Sequence, residues 1–488
     1  MGARFSVIIL AGLLASQLLG TLQVFISNRA VVRSMSALHD RGLLTVPSET
    51  LFSGLQDPGP VFFGGLFFTF TIGAALTVLT LALTQAFRPV RGISRHFLCG
   101  GFFLLLIVCL AGVNKNGFNP LGSAYFIVLP TFTAALARLV PTQEDQPRVP
   151  WNIIAPAAFF LFSLPFLASA AGPDFFHQVR DRWLLAHPWG TAVNDAYYRY
   201  TLHAAESVKS FNQKLIRTCR LDGNPDGKDA FLLRRALNAG DVFSLSAPEV
   251  DLVIHAEGDV LYLGSPGKRV LATDLAAFLA GTPAWLERFS DRTDRWKFFR
   301  RATFVAMVLL YPAILFFLIY AIACPMLPVR AGPRRRPLIA SGISFVLLTG
   351  GAFLLIPGHE APVPLSEIPA MLQSDNPERQ ARALRTLCVR GGNVSAFPTL
   401  KESPSPAVRY WFARCLEKSP TAEATALLLG LMEDSQVTVA TTAMEVLARR
   451  KDRAAIPVIL DKLAGSRHWY VQWYAYRALR RLGWCQSG

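Results

Sequence analysis

The chain has 488 residues, 52% of them hydrophobic and only 17% charged, with a net charge of +16 and a pI near 9.8. So apolar a composition excludes a disordered, charge-solvated polymer, and the length allows several domains. The basic excess does not by itself point to nucleic acid, because it is concentrated in short turns between long apolar runs.

Seven apolar segments occur in chain order: Ser6–Ile26, Val61–Phe87, Phe97–Val113, Leu121–Val140, Trp151–Ala171, Thr303–Met326 and Leu338–Ile356. Each is close to the ~20 residues that cross a ~30 Å hydrocarbon core, which predicts an α-helical polytopic membrane protein of about seven spans. The first segment exceeds the ~7–15 apolar residues of a secretory signal and lacks a small-x-small site before Arg29, so an uncleaved anchor is expected. The pairs Gly64–Gly65, Gly100–Gly101 and Gly350–Gly351 predict close helix contacts. Pro130, Pro156, Pro165 and Pro312 are tolerable inside membrane helices. No Asp, Glu, Lys or His falls near a midplane, which argues against a proton- or cation-coupled pathway.

Charge placement predicts orientation. With the N-terminus cytoplasmic, the inner segments are Met1–Phe5, Arg88–His96, Arg138–Pro150 and Leu327–Pro337. They hold ten arginines against Glu144 and Asp145, a net +8. The outer stretch Ser27–Pro60 balances three bases with three acids, and Gly172–Arg301 has 18 bases to 16 acids. This is the positive-inside pattern. Short arginine turns and compact loops suit a bacterial inner membrane, which would make the outer side periplasmic.

Between the fifth and sixth segments, residues 172–301 are expected to form a small extracytoplasmic α+β domain. Helical spacing runs through Phe175–Leu185 and then Asn194–Thr218, where Tyr197, Tyr200, Ala204, Val208, Phe211 and Leu215 read as a core stripe. Val242–Leu245, Asp251–His255 and Val260–Leu263 alternate with period two and predict an antiparallel meander. Gly264-Ser265-Pro266-Gly267-Lys268-Arg269 lacks phosphate-loop spacing and suits a hairpin turn. Thr273–Ala280 and Pro283–Arg301 return to helix, the second carrying Trp285, Phe289 and Trp296 among arginines, as an interfacial lead-in does.

One loop in this domain matches the opening of a calcium-binding EF-hand loop. Asp222, Asn224 and Asp226 stand at its first, third and fifth positions, with Gly227 at the sixth. Leu233 occupies the twelfth position, where a bidentate Glu is required, so an Asx-rich turn with Asp229 capping the next helix is favoured. No catalytic site and no cofactor is predicted: the histidines show no zinc spacing, and His203 and Glu206 read as a surface pair.

After Pro357–Pro364, a pattern recurs about every thirty residues. An A-x-x-x-L step appears as Ala383/Leu387, Ala443/Leu447 and Ala475/Leu479, with Phe412/Leu416 in the second copy. Arg379, Val408, Val439 and Val471 stand four residues earlier, and second helices are expected over Glu423–Met432 and Ala454–Leu463. A fixed period in this range marks a solenoid. The region resembles the short HEAT-like repeats of the phycobilisome-lyase type, with Val408-Arg409 closest to that family's pattern. The resemblance implies a C-terminal α-solenoid of stacked helix pairs with a binding surface, and no lyase chemistry. Cys388 and Cys415 close the first helices of adjacent copies, as a disulfide or as two buried thiols.

The fourth copy has a first helix, Trp469–Leu482, and an aromatic rather than polar edge. Tyr410, Trp469, Trp473, Tyr476 and Arg480 are therefore the candidate partner-binding residues, the edge being covered by a partner, by residues 172–301 or by lipid headgroups. The expected organisation is a five-span region (1–171), the α+β domain (172–301), two spans (302–357) and the repeats (358–488). The expected function is a non-enzymatic scaffold or adaptor whose repeats bind other membrane or periplasmic proteins, with the lipid bilayer as its other partner and no nucleic acid. The alternatives are a transport or envelope-biogenesis subunit moving a neutral or lipidic substrate, and a membrane enzyme with an unrecognised site.

Overall fold

The computed structural model describes residues 2–87, 93–139, 151–170, 179–223, 227–328, 332–355 and 363–486. In chain order the helices are α1 (Gly2–His39), α2 (Glu49–Phe52), α3 (Pro58–Phe68), α4 (Ala74–Phe87), α5 (Ile93–Asn114), α6 (Pro120–Leu139), α7 (Trp151–Ala170) and α8 (Pro188–Glu206). The sheet region follows as β1 (Arg217–Asp222), α9 (Gly227–Ala239), β2 (Val242–Ser244), β3 (Leu252–Glu257), β4 (Val260–Ser265), β5 (Lys268–Asp274), α10 (Leu275–Ala280) and α11 (Thr282–Thr293). Then come α12 (Lys297–Met326), α13 (Gly332–Leu355), α14 (Ile368–Leu372), α15 (Pro377–Arg390), α16 (Pro406–Cys415), α17 (Ala422–Leu431), α18 (Val437–Arg449), α19 (Ile456–Gly465) and α20 (Trp469–Arg481). The chain divides into two compact units, each assembled from three separate stretches.

The first unit comprises Met1–Gln23, Phe62–Val179 and Arg295–Glu360. Among the described residues five helices are long and apolar enough to cross a membrane: Phe5–His39, Pro58–Gln85, Pro120–Leu139, Lys297–Met326 and Arg334–Phe353. The remaining two expected segments are apolar helices whose described stretches are shorter, Cys99–Asn114 and Ile154–Ala170. The unit turns large apolar side chains outward, among them Leu18 at 73% exposure and Phe103 and Leu161 at 63%. Water does not support such a surface; hydrocarbon does.

Small residues let α1 approach the α3–α4 segment. A Cβ on Gly20 would lie 2.7 Å from the Gly65 carbonyl oxygen, one on Gly73 would meet Ser16 Oγ at 1.8 Å, and one on Gly12 would meet Thr77 at 2.4 Å. Between these contacts Thr69 Oγ1 donates to Gln17 Oε1 (2.6 Å), and Gln17 Nε2 donates to the Phe62 carbonyl (2.8 Å) and to Thr21 Oγ1 (3.1 Å). A π-helical turn, Thr69–Gly73, separates α3 from α4 at this point. Of the three expected glycine pairs, Gly64–Gly65 contributes Gly65, which packs against Gly20 of α1. Gly100, Gly101, Gly350 and Gly351 have no heavy atom within 4 Å of a Cβ position.

The second unit comprises Val24–Val61, Arg180–Asp294 and Ala361–Gly488. α1 does not stop at Ile26 as the hydropathy suggests; it runs to His39 because Met35 and Leu38 are buried in this unit's core. The sheet corrects the expected meander. Its order is β2-β1-β3-β4-β5, with β1 parallel to both β2 and β3 and the remaining pairs antiparallel. β1 takes the last two residues of the expected Asn194–Thr218 helix, which ends instead at Glu206. Ser207–Ser210 then breaks the helix, and Ser210 forms a capping box with Gln213. Leu233 and Leu237 of α9, with Phe278, Leu286 and Phe289, cover one face of the sheet over Cys219, Leu252, Ile254, Leu261 and Leu263. The β4–β5 turn has Gly267 at φ +78°, as a tight hairpin requires.

The helices after Pro364 pack in sequence: α15 on α16, α16 on α18, and α18 on α20, with α17 and α19 lying beside them. All eight residues of the A-x-x-x-L columns are buried, as are Val408, Val439 and Val471, whereas Arg379 is exposed. Cys388 and Cys415 form a disulfide between α15 and α16.

Candidate functional site: the aromatic face of the C-terminal helices

The candidate partner-binding residues lie on α16 and α20, and the chain itself covers most of them. Tyr410 is buried, with the Arg180 guanidinium 3.6 Å over its ring. Its neighbour Trp411 donates its indole N–H to Asp181 Oδ2 (2.6 Å). Asp181 sits in the single π turn Arg180–Leu184, within the stretch expected as a longer helix through Phe175–Leu185, whose first residues lie outside those described. Its two oxygens take four donors: Oδ1 accepts from Arg180 Nε (2.9 Å) and Nη2 (2.7 Å), and Oδ2 accepts from Trp411 and from Arg385 Nη2 (2.9 Å). Burial lowers the pKa of Arg180, but Asp181 and Tyr410, by charge and hydrogen bonding, together more than offset this and hold it above its usual value.

The last helix is covered in the same way. Trp469 is buried edge-on against His203 of α8, ring centroids 5.0 Å apart. Asn28 Nδ2 lies 3.0 Å from His203 Nδ1 and donates to the Leu55 carbonyl (2.7 Å). Burial pushes the pKa of His203 down to about 4, so its ring is neutral and can accept from Asn28. Tyr476 is fully buried and donates to Asp241 Oδ1 (2.7 Å). Arg480 donates Nε to Asp241 Oδ2 (3.0 Å) and Nη2 to the Ala239 carbonyl (2.7 Å). Burial raises the Asp241 pKa against the pull of Tyr476 and Arg480. Asp241 presents both oxygens from a left-handed turn, φ 57°.

Gln472 completes the covering. Its side chain is fully buried, accepts from the Ser48 backbone N–H (2.8 Å) and donates to Ser48 Oγ (2.7 Å), Thr50 Oγ1 (3.1 Å) and the Ser466 carbonyl (2.6 Å). Four of the five expected contact residues, Tyr410, Trp469, Tyr476 and Arg480, are thus engaged by Arg180, His203 and Asp241 of the same unit. The reason is geometric: the aromatic edge of α20 packs on α8, the β-sheet region and the Leu43–Phe52 stretch. Trp473 alone stays half-exposed, with Arg477 4.4 Å and Lys209 6.0 Å from its ring centre.

The remaining sequence candidates are dispersed. Asp222 ends β1, and its carboxylate takes Arg220 (2.8 and 3.0 Å), which lowers its pKa. The stretch leading into that loop is strand β1; Asn224 and Asp226 lie outside the described residues. Among the described residues no three His, Cys, Asp or Glu side chains converge as a metal site. His203 and Glu206 do not pair with each other, since Glu206 accepts from Lys209 (2.6 Å). Tyr197, expected in a core stripe, is 54% exposed.

Asp181, Asp241, Gln472 and Ser48 carry this arrangement, and sequence reasoning missed all four. Each meets partners more than 200 residues away, so no local spacing marks them. Comparison with family models, curated proteins and solved structures finds no match to this chain, so the functional reading rests on these side chains.

Proposed function

We propose that the protein is a non-enzymatic membrane scaffold or adaptor. Seven spans anchor it in a bacterial inner membrane with the N-terminus cytoplasmic, and a HEAT-like solenoid together with the α+β domain faces the periplasm as one platform. The observation that carries this reading is the interlocking of the second unit by Asp181, Asp241 and Gln472. Such locks hold a surface rigid, which suits recruitment of other membrane or periplasmic proteins. The arginine turns support the orientation, and the Cys388–Cys415 disulfide suits an oxidising compartment. Because the chain covers its own aromatic edge, partners would engage the outer faces of the helix pairs instead. A reporter fused after Gly488 tests the orientation, and a cytosolic signal in intact cells would defeat the reading. Co-purification with and without residues 358–488 tests recruitment; an unchanged set of companions would remove the repeats from that role.

A second reading has its own support. The Gln17–Thr21–Thr69 cluster and the adjoining π turn put polar groups and irregular backbone among apolar helices, where transported neutral substrates are handled. The same hydrogen bonds also join α1 to the α3–α4 segment, which favours anchoring. Transport of a neutral or lipidic solute by purified protein in vesicles would decide for this alternative.

A further inference from the structure

Within the second unit α8 carries a face that nothing in the unit covers. Trp189, Val193 and Tyr197 stand at successive four-residue steps and are 56%, 53% and 54% exposed. Ala192 and Ala196 lie between them and are exposed, and Trp183, just before the helix, lies 6.5 Å from Trp189. The stripe covers about two turns of helix, some ~12 Å long at 1.5 Å per residue. Singly exposed apolar residues are ordinary, but a run of them along one side of a helix in an otherwise well-packed unit marks a contact surface.

The chemistry of the face selects its occupant. It is built from two tryptophans, a tyrosine, and His187 stacked on Trp189 at 6.0 Å, with alanine and valine as filler. Rings with one polar edge partition to the headgroup layer, where the body is buried and the N–H or O–H stays wet. The exposed Arg199 flanks the stripe, and Arg477 lies over Trp473 nearby on α20, which Tyr198 joins through Tyr470 at 4.8 Å. Asp195 lies two residues from Val193, about 200° round the helix, so the face itself carries no acid. An apolar aromatic stripe edged by Arg199 and Arg477 complements an anionic lipid surface. Chain length agrees: eight residues, 171–178, separate Ala170 at the end of α7 from Val179, a tether of at most about 30 Å. This last argument rests on the proposed crossing of the membrane by α7.

We propose that Trp183, Trp189, Val193 and Tyr197 form an interfacial docking surface for phospholipid headgroups, laying α8 against the membrane. The proposal goes beyond scaffolding, because it gives the extramembrane unit a lipid ligand of its own. The test uses the full chain with a benzophenone photo-residue in place of Val193, reconstituted in vesicles of phosphatidylethanolamine and phosphatidylglycerol. After illumination, the peptide containing residue 193 should carry a phospholipid adduct in at least about tenfold higher yield than a photo-residue at the exposed Glu433. A photo-residue at Tyr197 serves where the first variant fails to fold, and it should behave alike. Equal yields at the two sites, or a covalent dimer in place of lipid, would overturn the proposal, the dimer assigning the face to a second copy. An epitope inserted after Gly172 separately tests the crossing by α7. If the epitope reports the far side while the adduct is missing, the docking fails and the topology stands.

Discussion

Asp181 is the side chain whose loss should cost most. Its carboxylate is 5% exposed and neutralises Arg180 and Arg385, which are 14% and 24% exposed. Asp181→Ala removes the carboxylate that Arg180 and Arg385 share in a poorly solvated site, together with the acceptor of the Trp411 N–H. Removing one partner of a buried ion pair costs about 3–5 kcal/mol, and the residual exposure of the arginines places this case near the lower end, at about 3 kcal/mol. The second unit has about 280 residues, so its unfolding entropy is on the order of 0.6 kcal/mol/K and its Tm should fall by about 5 °C. Thermal unfolding of the purified full chain in detergent, followed by tryptophan emission, reads this directly. Asp181→Ala and Arg385→Ala together should cost at least about 1 kcal/mol less than the sum of the two singles, because both remove the same Asp181–Arg385 ion pair. A shift under ~1 °C for Asp181→Ala, or strict additivity with Arg385→Ala, would refute the assignment of Asp181 as the lock.

The other expectations concern separate contacts. His203 has its pKa depressed to about 4, so the unfolded chain takes up a proton first as pH falls. The stabilisation is complete above about pH 6.5 and is lost between there and pH 4, by about 3 kcal/mol. His203→Gln should flatten that limb of the Tm–pH curve, and an unchanged slope would count against the neutral buried ring. Gln472→Leu strands the Ser48 backbone N–H, takes the amide donor from Ser48 Oγ and Thr50 Oγ1, and should cost about 2–3 kcal/mol, with faster hydrogen exchange confined to residues 44–52. Gly73→Val forces a side chain into Ser16 and should destabilise the first unit by about 1–3 kcal/mol, whereas Gly100→Ala should be neutral or slightly stabilising; equal effects would contradict the glycine contact. In denaturant without reductant, maleimide should label five cysteines, and reduction should add two, Cys388 and Cys415.

The sequence showed what repeats locally. Its leucine columns at 387, 416, 447 and 479 are buried, and its apolar segments are helices, because period and hydropathy report on the face that leaves water. It misled where local and tertiary preferences diverge. Arg217–Asp222 has alternating polarity yet follows Phe211 and Leu215 at helical steps, so the strand read as more helix. Tyr197 fits a core stripe by spacing and is exposed, since spacing identifies a face without saying which face is covered. The aromatic edge of α20 was legible as a surface needing cover. What covers it was not, because Ser48, His203 and Asp241 are distant in the chain.

The pairing of Ser48 with Gln472 spans 424 residues, and that of Leu44 with Gln486 spans 442. At ribosomal speeds of ~5–20 residues per second, the Ser48 stretch waits roughly 20–80 s for its partner to be made. During that interval Leu43, Val46 and Leu55 lack the part of their core that α20 supplies. Closure of these contacts therefore waits for the synthesis of α20. A nascent chain stalled before α20 leaves part of the Leu43–Leu55 stretch open to chaperones and proteases, so α20 serves as a checkpoint for that stretch.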